Sequence, residues 1–116
     1  MNTHAPTLSA EARRRLGAFR RGAEEALPGR IVEMRLFGSR ARGDAKEDSD
    51  YDIAVFVRDL DDRTDVLGAL SDTAYPHILE GFHIRPIVLP ADYLARADAS
   101  RTHLANEIAR DGIPLR

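Results

Sequence analysis

The stretch FGSRARGDAKEDSDYDIAVFV, residues 37–57, decides how this sequence is interpreted. It places Gly38 and Ser39 directly after an alternating segment and, ten residues later, Asp50 and Asp52 at the entrance of an apolar run. A glycine after a strand lets the backbone turn sharply and approach a ligand, and Ser39 then stands where a helix can begin, with N–H groups available to phosphate oxygens. Glycine-serine turns are also common as simple turns and helix caps, so the pair alone does not define a site.

Asp50 and Asp52 are the second feature of this stretch. Residues two apart on a strand share a face and lie about 6.6 Å apart along the backbone. At that distance two carboxylates repel by roughly 2 to 3 kcal/mol at an effective dielectric near 20. Because Mg²⁺ takes oxygen ligands, often one or two carboxylates together with substrate phosphates, the pair predicts a magnesium site. The alternative is a strand end whose carboxylates face water.

Helices and strands are predicted to alternate on both sides of this stretch. Apolar residues at helical spacing indicate helices, and alternating or continuous apolar runs indicate strands. Helices are predicted at 9–27, at 62–75, in a short piece from Pro90 and in a final segment capped by Ser100, and strands at 31–37, 50–57 and 82–89. This order predicts an α+β fold in which a small mixed β-sheet is flanked by α-helices.

Several side chains are assigned to faces or ends of these elements. The first strand should point Val32, Met34 and Leu36 to one side, and the apolar second half of the strand at 50–57 suggests a central position. The helix at 62–75 should turn Val66, Leu67, Leu70 and Ala74 inward and be interrupted by Pro76. Pro86 favours an edge or a bulge for the strand at 82–89, because proline cannot donate a ladder hydrogen bond.

Length and composition limit the possible classes of protein. The chain has 116 residues, of which 43% are hydrophobic and 31% charged, and this predicts one globular domain over residues 1–116. The absence of cysteine excludes disulfides, a thiol nucleophile and thiolate metal sites. No apolar run approaches the ~20 residues of a membrane span, and the N-terminus lacks the apolar stretch of a secretory signal, so we expect a cytoplasmic protein without membrane contact.

Charge is segregated along the chain. Residues 1–43 are rich in arginine and residues 44–65 in aspartate and glutamate, although the net charge is only -2. The acidic segment can bind a cation, and the basic segment can face water, an anion or an acidic partner. A nucleic-acid binder is normally basic overall, so direct binding of nucleic acid is not expected.

The motifs GSRARG, residues 38–43, and SDYD, residues 49–52, resemble the nucleotidyltransferase superfamily that includes DNA polymerase beta, and in particular its minimal nucleotidyltransferase branch. The resemblance continues weakly through RPIVL, residues 85–89, and EIARDGIPL, residues 107–115. It implies the nucleotidyltransferase fold over nearly the whole chain.

The resemblance also implies roles for single residues. Gly38 and Ser39 would hold the triphosphate, and Asp50 and Asp52 would bind Mg²⁺ as the catalytic pair. A nucleoside monophosphate would pass to an acceptor with release of pyrophosphate, an in-line transfer that metal ions assist. Arg42, together with Arg40, would lie near the phosphates, and a plain surface position is the alternative for both.

The superfamily normally has a third carboxylate on a later strand, and in this sequence the aligned position is His83. A histidine can act as a general base or bind a metal, although a lone histidine on a strand is more often structural. Glu80, Asp92 or an acid from a partner are the other candidates for that place. If nothing replaces the acid, the domain would bind nucleotide with weak or no transferase activity.

Two hypotheses follow from the sequence. In the first, the chain is a Mg²⁺-dependent enzyme that transfers AMP from ATP, or the monophosphate of another nucleoside triphosphate, to a hydroxyl on a partner macromolecule, because 116 residues leave no second domain for a small acceptor. Minimal members of the branch often serve as antitoxins that add AMP to a tyrosine of a small helical ribonuclease toxin. In the second, the chain is a catalytically silent module that binds nucleotide or partner and neutralises a toxin by contact. Homo-oligomerisation and the nucleotide base are left open.

Overall fold

A four-stranded mixed sheet organises the chain in the computed structural model, which describes residues 8–96 and 102–116. The elements are α1 (Ala10–Ala26), β1 (Ile31–Phe37), α2 (Ser39–Arg42), β2 (Tyr51–Val57), α3 (Arg63–Leu79), β3 (Ile84–Pro90), a 3₁₀ turn (Tyr93–Ala95), α4 (His103–Asp111) and β4 (Ile113–Pro114). The strand order is β3-β2-β1-β4, with β1 antiparallel to β2 and β4, and β3 parallel to β2. The predicted α+β fold is confirmed.

Helices cover both faces of the sheet, which explains why β2 is apolar on both sides. Ile53, Val55 and Val57 face the core formed with α1 and α3, whereas Ala54 and Phe56 face α4 and the 3₁₀ turn. The central position predicted for this strand is confirmed, and so is the edge position that Pro86 indicated for β3. No helix among the described residues is long and apolar enough to span a membrane.

Helix α1 forms where the sequence predicted it. The Ser9 side chain accepts a hydrogen bond from the Ala12 amide, and the helix ends just before Pro28 and Gly29. Its apolar stripe is buried and consists of Ala12, Leu16, Phe19 and Ala23.

Two side-chain assignments were wrong, and both have a local cause. Strand β1 contains a bulge between Ile31 and Glu33, so Val32 is exposed and does not share the inner face of Met34 and Leu36. On α3 the buried stripe runs along Val66, Leu70 and Ala74, and Leu67 is exposed because it lies one residue off that four-residue repeat.

Pro76 does not interrupt α3, which continues to Leu79. Proline removes one helical hydrogen bond, the one to the carbonyl of Asp72. Asp72 and Pro76 are both exposed, so that carbonyl can bond to water instead, and the helix ends only one turn later.

The C-terminal helix α4 is capped by Thr102, whose side chain accepts from the Ala105 amide. The cap predicted at Ser100 lies outside the described residues. Gly112 ends the helix, and the two residues of β4 then pair with Arg35 and Leu36 of β1, forming a strand that was not predicted from the sequence.

Gly68 gives a first testable prediction. It lies on the exposed side of α3, and a Cβ built on it meets no atom within 4 Å. Gly68→Ala should therefore raise the free energy of unfolding by about 0.8 to 1 kcal/mol, measured by urea denaturation. Gly22→Ala is the control, because its Cβ would lie 2.8 Å from Thr73 Cγ2 on the facing helix, and it should destabilise the domain. A loss of stability in Gly68→Ala would contradict the position assigned to this residue.

Candidate active site

The glycine turn and the aspartate pair meet at one end of the sheet. Phe37, the last residue of β1, pairs with Asp52 near the start of β2, so Gly38 follows directly beside that carboxylate. A Cβ built on Gly38 would lie only 2.7 Å from Asp52 Oδ2. A side chain at this position would therefore require the turn or the Asp52 carboxylate to shift.

The backbone of Gly38 has φ 79° and ψ -160°, a combination that glycine adopts and other residues essentially do not. Its carbonyl accepts hydrogen bonds from the amides of Ala41 and Arg42 at 3.0 and 3.1 Å. The amides of Ser39 and Arg40 therefore lie ahead of the first helical bonds of α2, where N–H groups have no partner within the helix.

Asp52 is the more enclosed of the two acids, with its side chain 16% exposed. Its Oδ1 accepts a hydrogen bond from Arg85 Nε at 2.8 Å. Burial nevertheless raises the pKa of Asp52 above its ordinary value, with Arg85 opposing that shift and the charges of Asp50 and Glu107 adding to it. Arg85 therefore does not fully offset the cost of burying the charged carboxylate.

Asp50 lies one residue before β2 and is more open, with its side chain 43% exposed. Its Oδ1 is 3.9 Å from His83 Nδ1, so the two are close without a hydrogen bond. The His83 carbonyl accepts from the Tyr51 amide at 2.7 Å, which ties the start of β3 to the acidic turn. The structure therefore brings His83 beside Asp50.

The residue opposite Asp52 on β3 is Arg85, as the parallel register shows. Both side chains point to the α4 side of the sheet, in phase with Phe56 and Leu89. The sequence analysis did not single out Arg85. Arg85 and Pro86 are neighbours on an edge strand and point to opposite faces of the sheet. Only the pairing register shows which residue of β3 lies beside Asp52.

A comparison with known families shows the family of the chain. The nucleotidyltransferase domain family matches residues 17–112, which include the glycine turn, both acids and all three strands β1 to β3. The chain belongs to this family. No curated protein sequence matches it significantly.

A solved structure supports the fold of this nucleotidyltransferase domain. The crystal structure of a mutant toxin-antitoxin pair, MntA-HpeT, is similar with a TM-score of 0.56 at 18% identity, covering 81% of this chain and 67% of that chain. At this identity the likeness is one of fold.

The two arginines of α2 are held by neighbouring groups. The Arg42 guanidinium lies 3.2 Å from Asp44, 2.9 Å from Glu107 and 3.5 Å from Asp111. The Arg40 guanidinium donates to the carbonyls of Ser49 and Glu47 and stacks 4.5 Å above the Tyr51 ring. Arg40 thus fastens the segment that leads into Asp50.

A small cavity of about 190 Å³ is lined by Ser49 and Tyr51, the residues on either side of Asp50 in the chain. The stacked rings of Tyr51 and Phe82, whose centroids are 4.3 Å apart, form part of its wall, and His83 and Arg40 also line it.

The candidates for a third acid do not reach the pair. Glu80 forms an ion pair with Arg15 at 2.7 Å. Asp92 follows the far end of β3, roughly 20 Å along the strand from the site. Across residues 8–96 and 102–116, no three acidic or histidine side chains gather into a metal-binding cluster. Glu107, from α4, is the further acid whose charge acts on Asp52, and Arg42 neutralises it.

Proposed function

We propose that this nucleotidyltransferase domain binds a nucleoside triphosphate and Mg²⁺ through Gly38, Ser39, Asp50 and Asp52, and transfers the monophosphate, AMP when the substrate is ATP, to a hydroxyl on a partner macromolecule. The contact between the Gly38 turn and the Asp52 carboxylate carries this proposal. It brings a backbone turn that can bind phosphate next to a pair of acids that can bind a divalent cation, in a chain of the nucleotidyltransferase family.

The acid pair fits a hard cation. Asp52 has one oxygen, Oδ1, on Arg85 and the other, Oδ2, beside the glycine turn, and Asp50 is open to solvent. One or two carboxylates completed by phosphates and water is the ligand set that Mg²⁺ commonly takes in phosphate-binding sites. When bound, the ion would offset charge on the transferred phosphorus and on the leaving pyrophosphate.

Ser39 and Arg42 are proposed to bind the phosphates. The Ser39 amide lies at the start of α2, beside Gly38, where a phosphate oxygen can accept from it. Arg42 would have to exchange one of its three carboxylates for a phosphate, since Asp44, Glu107 and Asp111 now surround it. A triphosphate carries enough charge to compete for that guanidinium.

The acceptor is proposed to be a protein, a small helical ribonuclease toxin whose tyrosine hydroxyl receives AMP. The support is the fold shared with a chain of the toxin-antitoxin pair MntA-HpeT. His83, which lies beside Asp50 and is more than half exposed, is proposed to accept the proton of an incoming hydroxyl.

Label transfer tests this proposal. The full chain is incubated with Mg²⁺ and ATP labelled at the α-phosphate, with and without the protein encoded beside it, and Asp52→Asn is run in parallel. We expect label in the partner with the wild-type chain and none with the variant. Labelling that persists in Asp52→Asn would contradict the proposed site.

A second function, neutralisation of the partner by contact alone, is favoured by one observation. Asp52 is already paired with Arg85, and no third acid of the described residues reaches it. In that case wild type and Asp52→Asn should inhibit the partner equally, without any label transfer.

A further inference from the structure

Arg85 is held at the site by one atom only. Its Nε donates to Asp52 Oδ1 at 2.8 Å, and its side chain is 61% exposed. Within residues 8–96 and 102–116 this is the one hydrogen bond of the guanidinium, so its two terminal nitrogens remain available as donors to an anion.

The other positive charges near the acids are already engaged. Arg40 bonds to two backbone carbonyls and stacks on Tyr51, and Arg42 lies among three carboxylates. Arg85 is therefore the arginine of this site whose charge faces solvent beside Asp52.

We propose that Arg85 is a fixed second cation of the nucleotide site. Its Nε stays on Asp52 Oδ1, its terminal nitrogens bind a phosphate oxygen of the triphosphate, and the site holds a single divalent ion between Asp50 and Asp52 Oδ2. This inference rests on the proposed function, since it requires that the site binds a triphosphate.

The geometry allows the two oxygens of Asp52 to bind different cations. Asp52 directs Oδ1 toward the β3 edge, where Arg85 lies, and Oδ2 toward Gly38, where the phosphates are proposed to bind. A guanidinium on β3 and an ion beside the turn would then flank the phosphates from two sides. Arginine suits this role because its planar guanidinium holds its donors in a fixed fork, so that Nε and the terminal nitrogens can bond to two anions at once.

The test uses the full chain with Mn²⁺ and a nonhydrolysable ATP analogue, measuring bound Mn²⁺ by electron paramagnetic resonance and analogue affinity by calorimetry. Wild type should bind one Mn²⁺ per analogue. Arg85→Gln should weaken analogue binding by about tenfold or more, the effect of losing charge-assisted hydrogen bonds to phosphate. Arg85→Lys, which keeps the charge, should recover part of that loss.

Arg96→Gln is the matched control. Arg96 is similarly exposed, at 56%, and is paired with Asp92 at 3.1 Å, but it lies beyond the opposite end of β3. It should leave both measurements unchanged, and melting curves of all variants verify that each is folded.

Four results would overturn the inference. Unchanged or tighter analogue binding in Arg85→Gln would show that Arg85 only competes with the divalent ion for Asp52. Two Mn²⁺ ions per analogue in wild type would show that a second metal ion, and not Arg85, supplies the second positive charge. Equal losses in Arg85→Lys and Arg85→Gln would show that charge is not the cause. If wild type binds neither Mn²⁺ nor analogue, the proposed function itself fails, which is a different outcome from the other three.

Discussion

Asp52→Asn should lower the rate of nucleotidyl transfer at least about a thousandfold, because metal-ion stabilisation of a phosphoryl transition state is worth several kcal/mol and each 1.36 kcal/mol is a factor of ten. The amide keeps the shape of the side chain and removes the charge that holds the ion and Arg85. Pyrophosphate release measures the rate. Asp72→Asn, at an exposed position on α3, is the control and should have wild-type activity.

The same substitution should make the domain more stable at neutral pH. Burial raises the pKa of Asp52 in the folded state, so the folded state favours the neutral carboxyl and the charged form costs stability. That cost is absent below the unfolded-state pKa, near 3.9, and grows as pH rises through the higher folded-state value. The melting temperature of Asp52→Asn should therefore exceed that of wild type at pH 7, with the difference vanishing toward pH 4.

A lower melting temperature for Asp52→Asn at pH 7 would mean that the Arg85 ion pair outweighs burial. Activity lost together with stability would also point to simple misfolding. If Asp52→Asn loses transferase activity while its melting temperature rises, Asp52 serves function at a cost in stability.

Gly38→Ala is expected to have the second large effect, on both stability and ligand binding. The backbone conformation of Gly38 costs a residue with a Cβ about 1 to 3 kcal/mol, and the added carbon would lie 2.7 Å from Asp52 Oδ2. The turn and the acid must then move apart, so triphosphate affinity should fall as well. Urea denaturation and calorimetry with the ATP analogue measure the two losses.

Gly29→Ala separates these causes. Gly29 also has a positive φ, 74°, but a Cβ on it meets nothing within 4 Å. It should lose stability through backbone strain, about 1 to 2 kcal/mol, and keep wild-type ligand affinity. If Gly38→Ala binds the analogue as tightly as Gly29→Ala does, the close approach at Asp52 has no part in binding.

The sequence could predict the meeting of Gly38 and Asp52 in space because the two residues lie at facing ends of neighbouring strands. Gly38 follows the last residue of β1, Asp52 is the second residue of β2, and β1 and β2 pair as neighbours in the sheet. Similar local signals placed α1 by the helical spacing of its apolar residues and β3 at an edge by Pro86, and the structure confirms both.

The features that the sequence missed depend on long-range pairing. Arg85 faces Asp52 only because β3 pairs with β2 in one particular parallel register, which no local pattern of side chains specifies. The carboxylates around Arg42 come partly from α4, about 65 residues later in the chain. The bulge at Val32 likewise arises from the pairing of β1 with β2, and the order of apolar and polar residues in β1 does not indicate it.

The central claim is that Gly38, Asp50 and Asp52 form one site for a triphosphate and a divalent cation. A crystal structure of the chain with Mn²⁺ and the nonhydrolysable ATP analogue tests it most directly, because the anomalous signal of manganese locates the ion independently of the phosphates. The account predicts one manganese peak at coordination distance from both Asp50 and Asp52, with the phosphates against the Gly38–Ser39 turn. A bound analogue whose phosphates and manganese lie away from these residues would contradict it.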